Sequence, residues 1–381
     1  MKTELVQLTE SDFQDAMDFL NMVFGAHRPH DFETLLPAIY RPVDEAMRCL
    51  HALREGGRIR AIVGLYPMSW QVGDNAIQVA GIGGVSTHPK FRRAGYMRRL
   101  MNRCLQSMQD TGCQLSYLGG QRQRYGYYGY ERCGHVLRYT FTRANLRHAC
   151  GDADTGIRFV PLIDPDQVNR ARALHDAQPA HCWRQPGLFL DHLHNWHASP
   201  NAAIDGAGDM VGYVVVDASG EHLTEVVAGS DDTAQRLIQA WVAHHATATV
   251  SLSTLQPQRL HALGQWCDSV SVLPAGNWQV FDWPAVAGAL LSARCRTANL
   301  LDGRVVIGIE GMGCLRLQVD GCGAQVTRTN ATPDIQCDHL TAMRLLFGPV
   351  APSQVTNLPG AARLLDQWCP LPLSWSRQDG V

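Results

Sequence analysis

Between Ile77 and Gln109 the chain changes from a strand pattern to a helix pattern. Ile77–Val85 reads as a β-strand. Arg93–Gln109 sets Met97, Leu100, Met101, Cys104, Leu105 and Met108 on one helical face. A strand that feeds an amphipathic helix needs a sheet for that helix to cover, so the segment demands a layered fold. At 381 residues the chain is long enough for two or three domains. No period of 20–50 residues is visible, so a solenoid is not expected.

Three stretches follow. Residues 1 to about 147 alternate strands and helices: strand Glu4–Leu8, a helix to Phe24 capped by Thr9 or Ser11, strands Met47–Leu53 and Ile59–Trp70, then Gln114–Leu118 and Val136–Thr142. Residues 155–285 repeat that flavour, with a hairpin about Ser219-Gly220, a helix from Asp231/Asp232 to about His245, and strand Thr249–Ser253. From about 286 the order changes. Val305–Ile309, Cys314–Val319 and Ala324–Arg328 read as antiparallel strands, and helices at Asp338–Leu346 and Ala361–Trp368 follow. The expected fold class is α+β.

Composition excludes several functions. Hydrophobic residues make up 45% and the formal charge is −2, which excludes a disordered chain and a strongly basic nucleic-acid binder. No run of about 18 apolar residues is present, so no membrane span is expected. The N-terminus lacks an apolar core for a signal peptide. The twelve cysteines show no C-x-x-C spacing, and they read as cytosolic thiols rather than a metal knuckle or a disulfide frame.

The segment with chemistry is Gly84-Val85-Ser86-Thr87-His88-Pro89-Lys90-Phe91-Arg92-Arg93-Ala94-Gly95-Tyr96-Met97. The first N–H groups of a helix have no internal partners and carry partial positive charge, which suits a pyrophosphate. Gly95 lets a phosphate approach the backbone, and Arg92 and Arg93 add charge. The same residues also fit a solvated basic turn.

Arg92–Met97 resembles the acetyl-CoA pyrophosphate loop of the GNAT N-acetyltransferases, Q/R-x-x-G-x-G/A. Met97 departs at the last position, as in the branch similar to enhanced intracellular survival (Eis) acetyltransferases, and the match continues through Arg98. Tyr125-Gly126-Tyr127-Tyr128-Gly129-Tyr130 is similar to that branch's Tyr-Gly-x-Phe-Gly-Tyr segment, with Tyr128 in place of Phe. The resemblance implies tandem GNAT-like domains over 1–148 and 149–285, the second degenerate, and a sterol-carrier-protein-like domain over 286–381. It implies acetyl-CoA as donor, a primary amine as acceptor (aminoglycoside, polyamine or lysine-like) and a homo-oligomer; the composition and spacing above add the expectation of a cytoplasmic location with no metal, nucleic acid or membrane partner. Val85, Ser86 and Thr87 would bind the pantetheine arm. Arg92, Arg93, Ala94, Gly95, Tyr96, Met97 and Arg98 would hold the pyrophosphate, with Gly120 and Gln121 bordering the cofactor. Tyr125 would be the general acid. The chain-terminal carboxylate, here on Val381, would be the base; the other reading is a frayed tail with water relaying the proton. A non-catalytic acyl-CoA sensor and a lipid carrier are the remaining functional classes.

Other groups read as structural. His192, His194 and His197 do not converge if the segment is helical. Arg122 and Arg124 fit either a substrate rim or solvated charges. Tyr127, Tyr128 and Tyr130 read as core aromatics. Asp15, Asp18 and Asp31 look like surface acids.

Overall fold

The computed structural model describes residues 3–25, 31–151 and 155–381. It is a mixed α/β protein built on three sheets. The first sheet opens with β1 (Thr3–Gln7), β2 (Leu50–Glu55), β3 (Arg58–Val72), β4 (Asn75–Thr87) and β5 (Leu115–Leu118) as neighbours in that order. Only β4 and β5 run parallel, and the helix Tyr96–Asp110 joins them. Its apolar face, with Leu100, Met101, Cys104 and Met108, is buried against Val63, Ala80 and Ile82.

Two strands cross between the stretches read from sequence. Val136–Thr142, expected with the first stretch, pairs in the second sheet between 247–252 and 269–273. Gly276–Val280, from the second stretch, inserts into the first sheet between β5 and Glu131–Cys133. A strand pattern specifies a half-buried ribbon and does not name its neighbours, so local sequence could not give this exchange.

The second sheet has seven strands and repeats the parallel crossover: His222–Ala228, helix Asp231–His245, then Thr247–Leu252. The third sheet has four strands. Its consecutive antiparallel strands Gly303–Ile309, Gly313–Asp320 and Gly323–Thr329 match the expected order. Helix Trp283–Thr297 covers it, and its buried Val305, Ile307, Leu315 and Leu317 join one core with Trp70, Val79 and Leu115 of the first sheet.

Candidate active site

The parallel pairing of β4 with β5 ends at Ile82 and Leu118. Just beyond it, Val63 of β3 faces two residues of β4, Gly84 and Val85, in a bulge. Gly84 has φ 58°, a backbone conformation that glycine adopts without Cβ strain. β5 stops at Leu118 while β4 runs on to Thr87, so Val85–Thr87 have no strand partner on that side, and this gap is the cleft. On the β5 side, Asn277 Nδ2 donates to the carbonyls of Leu118 (3.2 Å) and Gly120 (3.1 Å), fixing the bend that follows. Deeper in, Ser116 Oγ donates to Ala80 O at 2.7 Å and lies 2.7 Å from the Tyr130 hydroxyl, which locks the strands together below the cleft.

The loop Arg92–Gly95 links the end of β4 to the helix Tyr96–Asp110. Gly95 caps the helix Tyr96–Asp110 at φ 78°, with no side-chain cap. The first α-helical bond there runs from Arg99 N to Gly95 O, so the N–H groups of the preceding residues are not spent in the helix. A methyl on Gly95 would meet only the Arg98 side chain at 4.0 Å, so space stands open above the helix end. Arg92, Arg93, Ala94 and Arg98 are exposed. Arg93 also takes a positive φ, 71°, rare for a residue with a side chain and a strain found at functional loops.

Tyr125 ends the short helix Arg122–Tyr125 and packs its ring on Gly120. It is buried in the cluster that includes Ala80, Ile82 and Leu118, on the helix side of the sheet. Burial raises its pKa, partly offset by Arg124, so the phenol keeps its proton at neutral pH. Gln121 is exposed at the start of the same helix. Arg122 is held in an ion pair with Glu131 rather than standing free as a rim charge. Tyr127 is 91% exposed, which corrects the core expectation for that ring; Tyr130 is fully buried.

The end of the chain lies on the opposite face of β4. A methyl on Gly81 would strike Val381 Cγ2 at 2.6 Å, and one on Gly83 would strike the Val381 carbonyl carbon at 2.9 Å. Side chains alternate across a strand, so Gly81 and Gly83 face away from Ala80 and Ile82. Tyr125 and Val381 therefore flank the cleft from its two sides. The tail is not frayed. Gln378 and Asp379 are buried. Asn195 and Gln378 exchange side-chain-to-backbone bonds of 2.9 and 3.0 Å. Arg184, itself buried, donates to Asp379 at 2.7 and 3.0 Å and also pairs with Glu225. Burial alone would raise the Glu225 pKa, but the Arg184 charge and hydrogen bonds outweigh it and hold the carboxyl well below its usual range.

Local sequence carries no sign of this clamp, because Arg184, Asn195, Glu225 and Asp379 share no spacing. It also missed Trp196. The run His192–His197 is not one helix: the α-helix stops at His194, and Trp196 (φ 66°) and His197 (φ 56°) enter the left-handed region. Asn195 spends its amide on Gln378, and Trp196 is turned against Gly380, its indole nitrogen 3.6 Å from where a methyl there would stand. A cavity of about 470 Å³ opens beside the tail, between the first and second sheets, bounded by Tyr117, Gly119, Trp196 and Val381 at one end. Asp15, Asp18 and Asp31 do not line it.

Residues 4–133 match the family model described as an acetyltransferase (GNAT) domain. No curated protein matches the chain in sequence. Among solved structures, a GCN5-related N-acetyltransferase from Kribbella flavida is 21% identical, with TM-score 0.68 over 98% of this chain and 99% of that one. A conserved protein of unknown function from Enterococcus faecalis V583, described as a probable N-acyltransferase, is 15% identical with TM-score 0.69 over 98% of both chains. Eis1 from Mycobacterium abscessus is 17% identical with TM-score 0.68 over 100% of both. These likenesses extend the shared fold over the whole chain. With a GNAT domain at residues 4–133 and a cleft formed by parallel strands beside an uncapped helix end, the protein is an acyl-CoA-dependent acyltransferase.

Proposed function

We propose that the chain is an N-acetyltransferase of the Eis-like branch that moves acetyl from acetyl-CoA to a primary amine. One observation carries the reading: Val381 lies over Gly81 and Gly83, across the strand from the cluster that holds Tyr125. Thioester aminolysis asks for a proton acceptor on the amine side and a proton donor on the sulfur side, and the two groups flank the cleft accordingly.

In this mechanism Arg92–Arg98 receive the pyrophosphate on the helix N-terminus. Val85, Ser86 and Thr87 pair with the pantetheine arm through backbone groups that have no strand partner past the end of β5, with Gly120 and Gln121 on the other wall. The amine nitrogen attacks the carbonyl carbon, and its proton passes to the Val381 carboxylate. The C–S bond breaks, and Tyr125 protonates the departing thiolate. Solvent then returns the proton from the carboxylate to the phenolate. The buried clamp on Asp379 supports the carboxylate role, because it holds the chain end in one place.

The Eis-like reading also carries the domain plan: a cofactor domain over 1–148, a degenerate GNAT-like domain over 149–285 and a sterol-carrier-like domain over 286–381. The repeated strand–helix–strand crossover supports the middle assignment. The side chains that fill the third sheet's inner face favour a structural role there over lipid carriage. A panel assay tests the function: thiol release from acetyl-CoA by untagged protein with aminoglycosides, polyamines, amino acids and a lysine peptide. Release with any amine supports it. Bound acetyl-CoA with silence across the panel favours an acyl-CoA sensor, and no binding contradicts the loop assignment.

A further inference from the structure

The lining of the cavity beside Val381 narrows the choice of acceptor. Its wall includes Arg138, His222 and Ser251, with Arg377 on the tail. Besides the Val381 carboxylate, two acidic side chains line it, Glu225 and Asp379, and both are already engaged. The Asp379 oxygens accept from Arg184 at 2.7 and 3.0 Å. Glu225 accepts from Tyr213 at 3.0 Å and from both terminal nitrogens of Arg184. Arg184 thus already engages both side-chain carboxylates.

The guanidiniums are disposed differently. Arg259 is spent on Asp231 at 2.9 Å and on the Val226 carbonyl at 3.2 Å. Arg138 and Arg377 are exposed, and among the described residues no carboxylate lies within ion-pair distance of either. Both act on the same imidazole: burial, then Arg138 and Arg377, push the His222 pKa down to about 4 against the pull of Asp217, so the ring adds no charge. The indole N–H groups of Trp196 and Trp375, which also line the cavity, are buried without a hydrogen-bond partner among the described residues. An indole N–H can only donate. The wall thus offers donors and unpaired positive charge, which suits an anion. A polycation would face two guanidiniums without a carboxylate partner, and among the described residues the Val381 carboxylate is the one wall acid that Arg184 does not engage.

We propose that the acceptor is an amine that also bears an anionic group, a carboxylate or a phosphate, held by Arg138 and Arg377 while its amine reaches the chain end at Val381. The proposal rests on the acyltransferase reading and adds the substrate class.

The test compares glycylglycine (carboxylate), phosphoethanolamine (phosphate) and spermidine (no anion) as acceptors for the untagged full chain at saturating acetyl-CoA. Calorimetric titration of acetyl-CoA runs in parallel. At least one anionic amine should exceed spermidine in kcat/KM, and the better of the two identifies the anion. Arg138→Ala and Arg377→Ala should each raise KM for it about tenfold or more with kcat little changed, since each removes one charge-assisted contact. Arg377→Lys should recover part of the loss, and Arg138→Glu should shift preference toward spermidine. A wild-type preference for spermidine, or KM values indifferent to both alanine variants, would overturn the proposal. So would anionic amines that are neither acetylated nor competitive inhibitors. Failure to bind acetyl-CoA would instead remove the acyltransferase reading, and this proposal with it.

Discussion

Two parallel strand pairs of the molecule are each joined by a long helix, and those two helices start in opposite ways. Ahead of Tyr96–Asp110 stand Arg92, Arg93 and an uncapped Gly95 in the left-handed region. Ahead of Asp231–His245 stands Ser230, whose side chain accepts the Thr233 N–H at 3.1 Å, with Asp231 and Asp232 in the first turn. Both helix ends carry the same backbone dipole. The second spends it on its own side chains, so a phosphate would meet carboxylates there. The first leaves it open and surrounds it with guanidiniums. One topology thus gives an anion site and a closed helix start, and the cap residues decide which. The second crossover serves the site indirectly: its strand His222–Ala228 carries Glu225, which with Arg184 holds the tail over β4.

That division can be broken from either side. The largest effect is expected at the clamp. Arg184→Ala leaves Glu225 and Asp379 buried without their cation, which should cost about 3–5 kcal/mol. Urea unfolding measures it, and a loss below about 1 kcal/mol would mean that the clamp does not bear on stability. Tyr125→Phe removes only the phenolic hydroxyl. It should lower kcat about a hundredfold, in the range of general acid catalysis, with acetyl-CoA affinity unchanged by calorimetry. An unchanged kcat would take Tyr125 out of the acid role. Arg93→Glu makes the first helix start resemble the second, and acetyl-CoA should bind about tenfold more weakly. Equal affinity would show that the loop does not hold the pyrophosphate. The smallest change sharpens the contrast: Ser230→Ala should cost about 1 kcal/mol of stability as a lost N-cap and leave acetyl-CoA binding alone. Weakened binding in that variant would argue that the second crossover takes part in cofactor recognition.

What could be read from the sequence follows the range of the interactions. The loop was legible because its parts are consecutive: a strand, arginines, a glycine and an amphipathic face. The helix Asp231–His245 and the three consecutive strands of the third sheet were legible for the same reason. Arg93 in the left-handed region was not, because no residue pattern announces a positive φ at arginine. The exchange of Val136–Thr142 and Gly276–Val280 between sheets depends on pairing partners far along the chain. The clamp is the extreme case. Arg184 and Asp379 are 195 residues apart, and their pairing exists only once both sheets have formed. Trp196 was hidden in a histidine-rich run whose helical reading failed at Asn195, where a long-range bond to Gln378 outweighed local propensity.

The most direct test extends the chain beyond Val381 by a short Gly-Ser segment and compares thiol release with that of the untagged protein. If Val381 supplies the base from its half-buried place over Gly83, the extended protein should bind acetyl-CoA normally and lose turnover by about a hundredfold, the scale of a general base. Full turnover in the extended protein would contradict a site built from both the loop and the end of the chain.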